Sequence, residues 1–176
     1  MEDRLGKYLM NWRIRKVLPI IKGKLLDIGC GTNQLTKQYS GNGIGVDVYQ
    51  WGEVDLVVED TAKLPYEDNS FDTITILAAL NHIPNRLDVL KESNRVLKDD
   101  GIIIITMIPP LISTIWHKIR EPWDTDQHER GMKEGEVFGL TKNQINKLFL
   151  QSKFFSFKSF RFMFFINLLI CARKKQ

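Results

Sequence analysis

Cysteine is scarce in this chain, with only Cys30 and Cys171 far apart in sequence. A structural disulfide is not expected, and a reducing cytoplasm is the default compartment. Long apolar runs are also missing. The longest charge-free stretch near the C-terminus, Phe162 to Ala172, has eleven residues and is too short to span a bilayer as a helix. Met1-Glu2-Asp3-Arg4 opens with mixed charge and no apolar h-region follows, so no targeting segment is expected. There is no internal repeat, no low-complexity segment and no basic ladder interleaved with aromatics of the RNA-binding kind.

What remains is an ordinary globular composition, 43% hydrophobic and 26% charged in 176 residues, enough for one domain with a sizeable core. The expected organisation is a single domain over 1–176, with a leader helix within 1–22 and an insertion at 108–139. The net charge is +4. Arg4, Lys7, Arg13, Arg15, Lys16, Lys22 and Lys24 crowd the first 24 residues, and Arg173-Lys174-Lys175 closes the chain. Such clusters suit phosphates, an anionic membrane face or an acidic substrate, though more often they are a solvated face.

From residue 24 to about 107, short apolar runs alternate with segments of helical period, the pattern of βαβ units and a mostly parallel sheet. Residues 2 to 18 predict an amphipathic helix with Leu5, Leu9 and Trp12 on one face, ended by Pro19. Strands are expected near 24–29, 43–47, 54–58, 71–77 and 101–107. Asn85 is the expected N-cap of a helix from Arg86 to Lys98, with Leu87, Leu90 and Leu97 pointing inward. Asp99-Asp100-Gly101 reads as a turn into Ile102-Ile103-Ile104-Ile105, whose unbroken β-branching suits a strand buried on both faces.

Further on, Thr141 and Gln144 form a capping box, stapled by Leu140 and Ile145, for a helix whose core face is Ile145, Leu148 and Phe149. The aromatic tail from Phe154 to Arg173 reads as two strands joined near Met163–Ile166. Residues 108 to 139 stay irregular. A connection that long in so short a chain is the natural candidate for a substrate lid.

One stretch carries more chemistry than the rest. Leu25-Leu26-Asp27-Ile28-Gly29-Cys30-Gly31-Thr32-Asn33 is a buried strand running into a glycine turn, with an acid just inside the strand end. Twenty residues on, Ile44-Gly45-Val46 ends in Asp47. A glycine turn after one strand and an acid at the tip of the next is how α/β folds hold an adenosine ribose. Asp60, just past the strand at 54–58, puts a third carboxylate at the same sheet edge. Ile76-Leu77-Ala78-Ala79 ends the fourth strand in small residues that would let a ligand lie against the backbone.

These segments resemble the class I S-adenosylmethionine-dependent methyltransferases, of the small group whose best-known members methylate quinones and lipids. LLDIGCGTN, GVDV, EDTAKLPYEDNSFD, FDTITILAALNHI and VLKESNRVLKDDGIIIIT carry the resemblance across nearly all of residues 25 to 106. GLTKNQINKLFLQSKF is similar to the family's last helix and following strand. The resemblance implies an α/β fold: a Rossmann-like seven-stranded, mostly parallel sheet with a C-terminal antiparallel hairpin and helices on both faces. It implies S-adenosylmethionine as methyl donor, S-adenosylhomocysteine as product, and no metal.

Asp27, Gly29 and Gly31, with Cys30 between them, match the turn under the methionine part of the cofactor. Asp47, followed by Val48, matches the acid that accepts both ribose hydroxyls. Asp60 matches the residue facing the adenine amino group, with Thr61 beside it. Leu77 matches a carbonyl that meets the cofactor's amino group, and His82 a histidine on the floor of the active site. Asn33 stands where relatives often have a third glycine, and asparagine tolerates the left-handed backbone needed there. Only eleven residues separate Gly31 from Gly43, so the first helix after the turn must be short.

A sulfonium methyl is already electrophilic, so the enzyme must align the acceptor and exclude water, with a base useful for a hydroxyl. His82 and His128 are the candidate bases. Trp116, Trp123 and Tyr8 are candidates to border the acceptor or shield the sulfonium. Leu80-Asn81-His82-Ile83 occupies the place of an Asn-Pro-Pro-aromatic signature, which argues against methylating DNA bases. The expected acceptor is a small molecule or lipid-like, with peripheral membrane contact compatible with the basic termini, and the chain a monomer or homodimer. Two alternatives stay open: a non-catalytic binding module on the same fold, and a nicotinamide-binding oxidoreductase, the latter lacking a complete G-x-G-x-x-G.

Overall fold

The computed structural model describes residues 4–110, 112, 114 and 134–174. Helix α1 (Arg4–Val17) runs into a short 3-10 turn, Leu18–Ile20, where Pro19 has no amide to satisfy and so ends the helix without loss. The sheet follows as β1 (Leu25–Ile28), β2 (Gly43–Asp47), β3 (Leu56–Val57), β4 (Phe71–Leu77), β5 (Leu97–Met107), β6 (Phe154–Phe162) and β7 (Asn167–Lys174). The remaining helices are α2 (Gln34–Gln38), α3 (Arg86–Val96) and α4 (Lys142–Gln151), with a second 3-10 turn at Leu80–His82. Strand order is β3-β2-β1-β4-β5-β7-β6. The first five strands are parallel, and β7 alone runs against both its neighbours.

Alternation along the strands divides the core in two. Leu26, Ile28, Ile74, Ile76, Ile103 and Ile105 face Leu90 of α3 and Phe149 of α4. Leu25, Ile104 and Leu169 face the other way, onto Ile14 and Val17 of α1 and Leu35 of α2. Because helices cover both faces, β1 is buried at all four positions, Asp27 included. The capping box at Thr141 and Gln144 forms, and Leu140 and Ile145 are both buried in the same cluster. The C-terminal hairpin turns at residues 163–166.

The structure corrects several local expectations. The strand at 54–58 shrinks to Leu56–Val57, where Val46 and Asp47 pair with it at the sheet edge. Helix α3 stops at Val96, and its buried face is Val89, Leu90, Ser93 and Val96, with Leu87 only half-buried. Asn85 sits at the N-cap position without capping, because its amide donates to the Asp60 carboxylate at 3.1 and 3.2 Å. Asp99-Asp100-Gly101 lies inside β5: the register jumps from Phe71↔Leu97 to Thr73↔Ile102, so the turn survives as a bulge and Leu97 belongs to the strand.

Candidate active site

The strand order switches sides between β1 and β4, and open α/β sheets leave a crevice beyond the carboxyl ends of the strands at such a point. The glycine turn after β1 borders it on one side and Leu77-Ala78-Ala79 after β4 on the other. Gly29 has φ +69°, and a Cβ there would lie 2.6 Å from the Ala79 Cβ, so only glycine lets the two loops approach this closely. Asn33 does adopt the left-handed conformation, with φ +58°. Its amide donates to the Glu53 carbonyl and to Asp55 Oδ2, each at 2.9 Å, which ties the turn to the loop after β2. Helix α2 is five residues long, as the short Gly31–Gly43 interval requires.

Asp47 closes the same turn from the neighbouring strand. Its Oδ2 accepts from the Gly31 amide at 2.9 Å, and its Oδ1 accepts from Val48 at 2.8 Å and Tyr49 at 3.3 Å. A cavity of about 410 Å³ opens beside it, lined by Gly29, Gly31, Asp47, Val48, Thr61, Leu77 and His82 among the expected residues. Thr32, Trp51, Ala78, Ala79 and Ile83 complete the lining. Ala78 is held at φ +53°, an uncommon conformation for alanine that turns the chain sharply at the cavity wall.

The loop that carries Thr61 is anchored from α3. Arg95 donates to the carbonyls of Leu64 and Tyr66 and to Asp68, while Glu92 accepts from the Leu64 amide at 2.8 Å. Asp60 itself does not line the cavity. Its carboxylate accepts from the Ala62 amide at 2.8 Å and from Asn85, and those bonds hold its pKa below the usual value.

A second cavity of about 170 Å³ lies on the other side of the glycine turn, between it and α1. Asp27, Cys30, Gly29, Gly31 and Leu77 line it together with Met10, Arg13 and Ile14 of the helix. Asp27 is 3% exposed. Burial pushes its carboxyl up to about 7; the 2.6 Å bond from the Thr75 hydroxyl pulls the other way, and the charge of Asp47 adds to the rise. Arg13 faces the opposite problem, its guanidinium lowered to about 10 by burial. It reaches Asn167 Oδ1 at 3.4 Å, while its buried Nε has no hydrogen-bond partner. Burial, then the nearby carboxylates Asp27, Asp47 and Asp55, push the Cys30 thiol up, so it is no nucleophile at neutral pH.

At the far end of the larger cavity His82 meets Glu136, with Nδ1 3.5 Å from Oε2. The Glu136 side chain is only 1% exposed. Its segment is held against the Leu80–His82 turn. The Val137 amide donates to the Asn81 carbonyl at 3.0 Å, and Arg86 donates to the carbonyls of Leu80, Asn81 and Gly135. Tyr8 is not brought to this site: it is 60% exposed and lines a separate groove along the outside of α1. His128, Trp116 and Trp123 lie outside the described residues.

Arg13 and Glu136 are the functional candidates that sequence reasoning passed over. Arg13 belonged to a basic cluster and could be singled out only by its helical spacing from Met10, one turn away. Glu136 follows an irregular stretch with no periodicity, and nothing local marks it.

Residues 26–105 match the methyltransferase domain family. Demethylmenaquinone methyltransferases from several Staphylococcus aureus strains are 37% identical, over 52% of this chain and 46% of their own length. The match therefore spans less than half of those relatives. A Thermotoga maritima protein, described as an S-adenosylmethionine-dependent methyltransferase and possible histamine N-methyltransferase, superposes with a TM-score of 0.68 at 16% identity, covering 98% of this chain and 97% of that one. The methyltransferase CalH, solved with S-adenosylhomocysteine, gives 0.69 at 14% identity, covering 99% of this chain and 60% of that one. At such identities the likeness is one of fold.

Proposed function

We propose that the chain is a class I S-adenosylmethionine-dependent methyltransferase, that its two cavities hold the two halves of S-adenosylmethionine and that it methylates a small-molecule or lipid-like acceptor beside His82. The observation that carries this is the glycine turn standing between the cavities, with Arg13, whose buried Nε has no partner, and the buried Asp27 carboxyl on one side and Asp47 on the other.

On this reading the smaller cavity takes the amino-acid half. Arg13, whose buried Nε lacks a partner, would pair with the α-carboxylate, and Asp27 would face the ammonium group. Each supplies the counter-charge that the other end of a zwitterion needs, and both are desolvated before the ligand arrives. The larger cavity takes the adenosine. Asp47 would accept the ribose hydroxyls while keeping its bond from Gly31, and Val48, Trp51 and Ile83 would offer apolar surface to the base, with Thr61 at its edge. Asp60 would then act by shaping the loop at Thr61, since its carboxylate is engaged with Ala62 and Asn85.

When bound, the cofactor supplies a methyl group on a sulfonium, ready for in-line displacement. The chain's task is to position the acceptor and dispose of its proton. We assign that proton to the His82 imidazole, with Glu136 as the positioning residue that orients the ring. On methyl transfer His82 would take the acceptor's proton and carry it until solvent removes it.

The test is release of S-adenosylhomocysteine when the protein is given S-adenosylmethionine with hydroquinone, phenolic and amine acceptors. Turnover with an acceptor supports the proposal. Tight cofactor binding with no turnover across the panel would favour the non-catalytic alternative.

A further inference from the structure

The turn between β6 and β7 holds three successive non-glycine residues in the left-handed region: Met163 at φ +54°, Phe164 at +52° and Phe165 at +67°. Each such residue costs backbone energy, and a run of three is rare. Met163 is buried, and its carbonyl accepts from the Ile166 amide at 3.1 Å, which keeps the turn closed. Phe164 and Phe165 instead stand in water, 82% and 70% exposed. Core packing does not explain a strained turn that displays two phenylalanines.

These rings do not stand alone. Phe164 meets Trp12 edge-on at 5.7 Å, and Trp12 meets Tyr8 at 5.9 Å, so an aromatic ridge runs from the hairpin tip onto the outer side of α1. Arg15 and Lys16, both exposed, line the groove of about 400 Å³ that Tyr8, Asn11 and Trp12 form. Helix α1 carries five Lys or Arg residues and no Asp or Glu. Exposed phenylalanines, a Trp and a Tyr at their margin, and cations around them make the composition of a surface that sits in a lipid interface.

We propose that this ridge docks the protein on an anionic bilayer, with Phe164 and Phe165 entering the interface and Arg15 and Lys16 meeting lipid phosphates. Charge decides between this occupant and a second copy of the chain. A two-fold contact through the ridge would set one acid-free basic helix against its own image, whereas an anionic surface complements it. The inner stripe of the same helix, Met10, Arg13 and Ile14, walls the smaller cavity, so docking would bring the lipid surface to the helix that borders the candidate active site.

Flotation of the full chain with vesicles tests this without reference to methyl transfer. Binding to phosphatidylcholine vesicles containing phosphatidylglycerol, weakened by salt and weaker on phosphatidylcholine alone, is the expected result. The double variant F164S/F165S should lower the bound fraction at least about tenfold, while its melting and S-adenosylhomocysteine binding stay those of the parent chain. R15E/K16E, on exposed helix positions, should remove the preference for phosphatidylglycerol, and it serves equally should the hairpin variant misfold. Failure of the parent chain to float overturns the proposal. So does undiminished flotation of the folded F164S/F165S variant, or a dimer in light scattering that this variant dissolves.

Discussion

The Gly31 amide donates to Asp47 Oδ2 at 2.9 Å, so the tip of β2 holds the turn that leaves β1. One carboxylate thus has two tasks, fixing the glycine turn and accepting the ribose hydroxyls in the proposed complex. Asp47→Ala should weaken S-adenosylhomocysteine binding by about 1.5–3 kcal/mol, the scale of hydrogen bonds to a charged group. Titration calorimetry reads this directly. An unchanged affinity would sink the ribose assignment, and an equal response to NAD would revive the nicotinamide alternative.

Asp27 links stability and binding to pH with a definite sign. Its folded pKa, about 7, lies above the ordinary carboxylate value, so between about pH 4 and 7 the folded chain keeps a proton that the unfolded chain has released. Its contribution to stability is therefore greatest below that window and falls as the pH rises through it. Asp27→Asn should stabilise the ligand-free protein at pH 8 by up to roughly 4 kcal/mol of relieved burial, read as a higher melting temperature. The same change should weaken cofactor binding. For the parent chain, affinity for S-adenosylhomocysteine should rise with pH towards 7, and calorimetry in buffers of different ionisation enthalpy should detect proton release on binding. A variant both less stable and weaker in binding would mean that Asp27 acts only structurally.

Arg13 allows the two halves of the cofactor to be separated experimentally. Arg13→Met keeps an apolar stem at this position of α1 and removes the cation. S-adenosylhomocysteine should then bind at least about tenfold more weakly, the loss expected of a charge-assisted pair. Methylthioadenosine, which has the nucleoside but no amino-acid part, should bind the variant and the parent equally. Parallel losses for both ligands would place the damage in the fold and not in carboxylate recognition.

These residues also mark where the sequence was legible. The Leu25–Asn33 and Gly43–Asp47 segments are local: a buried strand, a turn that needs positive φ and an acid at fixed spacing, each readable from neighbours in the chain. The unbroken apolar run of β5 and the capping box of α4 are local in the same sense. Asn85 could not be read this way, because its amide is drawn off by Asp60, 25 positions earlier, and the cap gives way to that contact. Arg13 and Glu136 are likewise defined by partners brought close only when α1 and the residue 134–139 segment pack against the sheet edge. Local pattern marks the glycine turn and Asp47, whereas Arg13 and Glu136 are brought beside them by tertiary packing.

Glu136 gives the sharpest test of the proposed chemistry, because it touches His82 and does not line the larger cavity. His82→Gly should cut turnover of a hydroxyl acceptor by about 10²–10⁴-fold, the usual worth of a general base, with S-adenosylhomocysteine affinity much less affected. Added imidazole should restore part of the rate by occupying the vacated space. Glu136→Gln should lower kcat with little change in KM, since it leaves the ring present but poorly oriented, and Glu136→Asp should recover more activity than Gln. Imidazole without effect on His82→Gly, together with equal losses in Gln and Asp variants at position 136, would reduce the pair to a structural contact. In that case the acceptor would have to carry a nucleophile that needs no base, such as an amine or a thiolate, and the search for it would move to those classes.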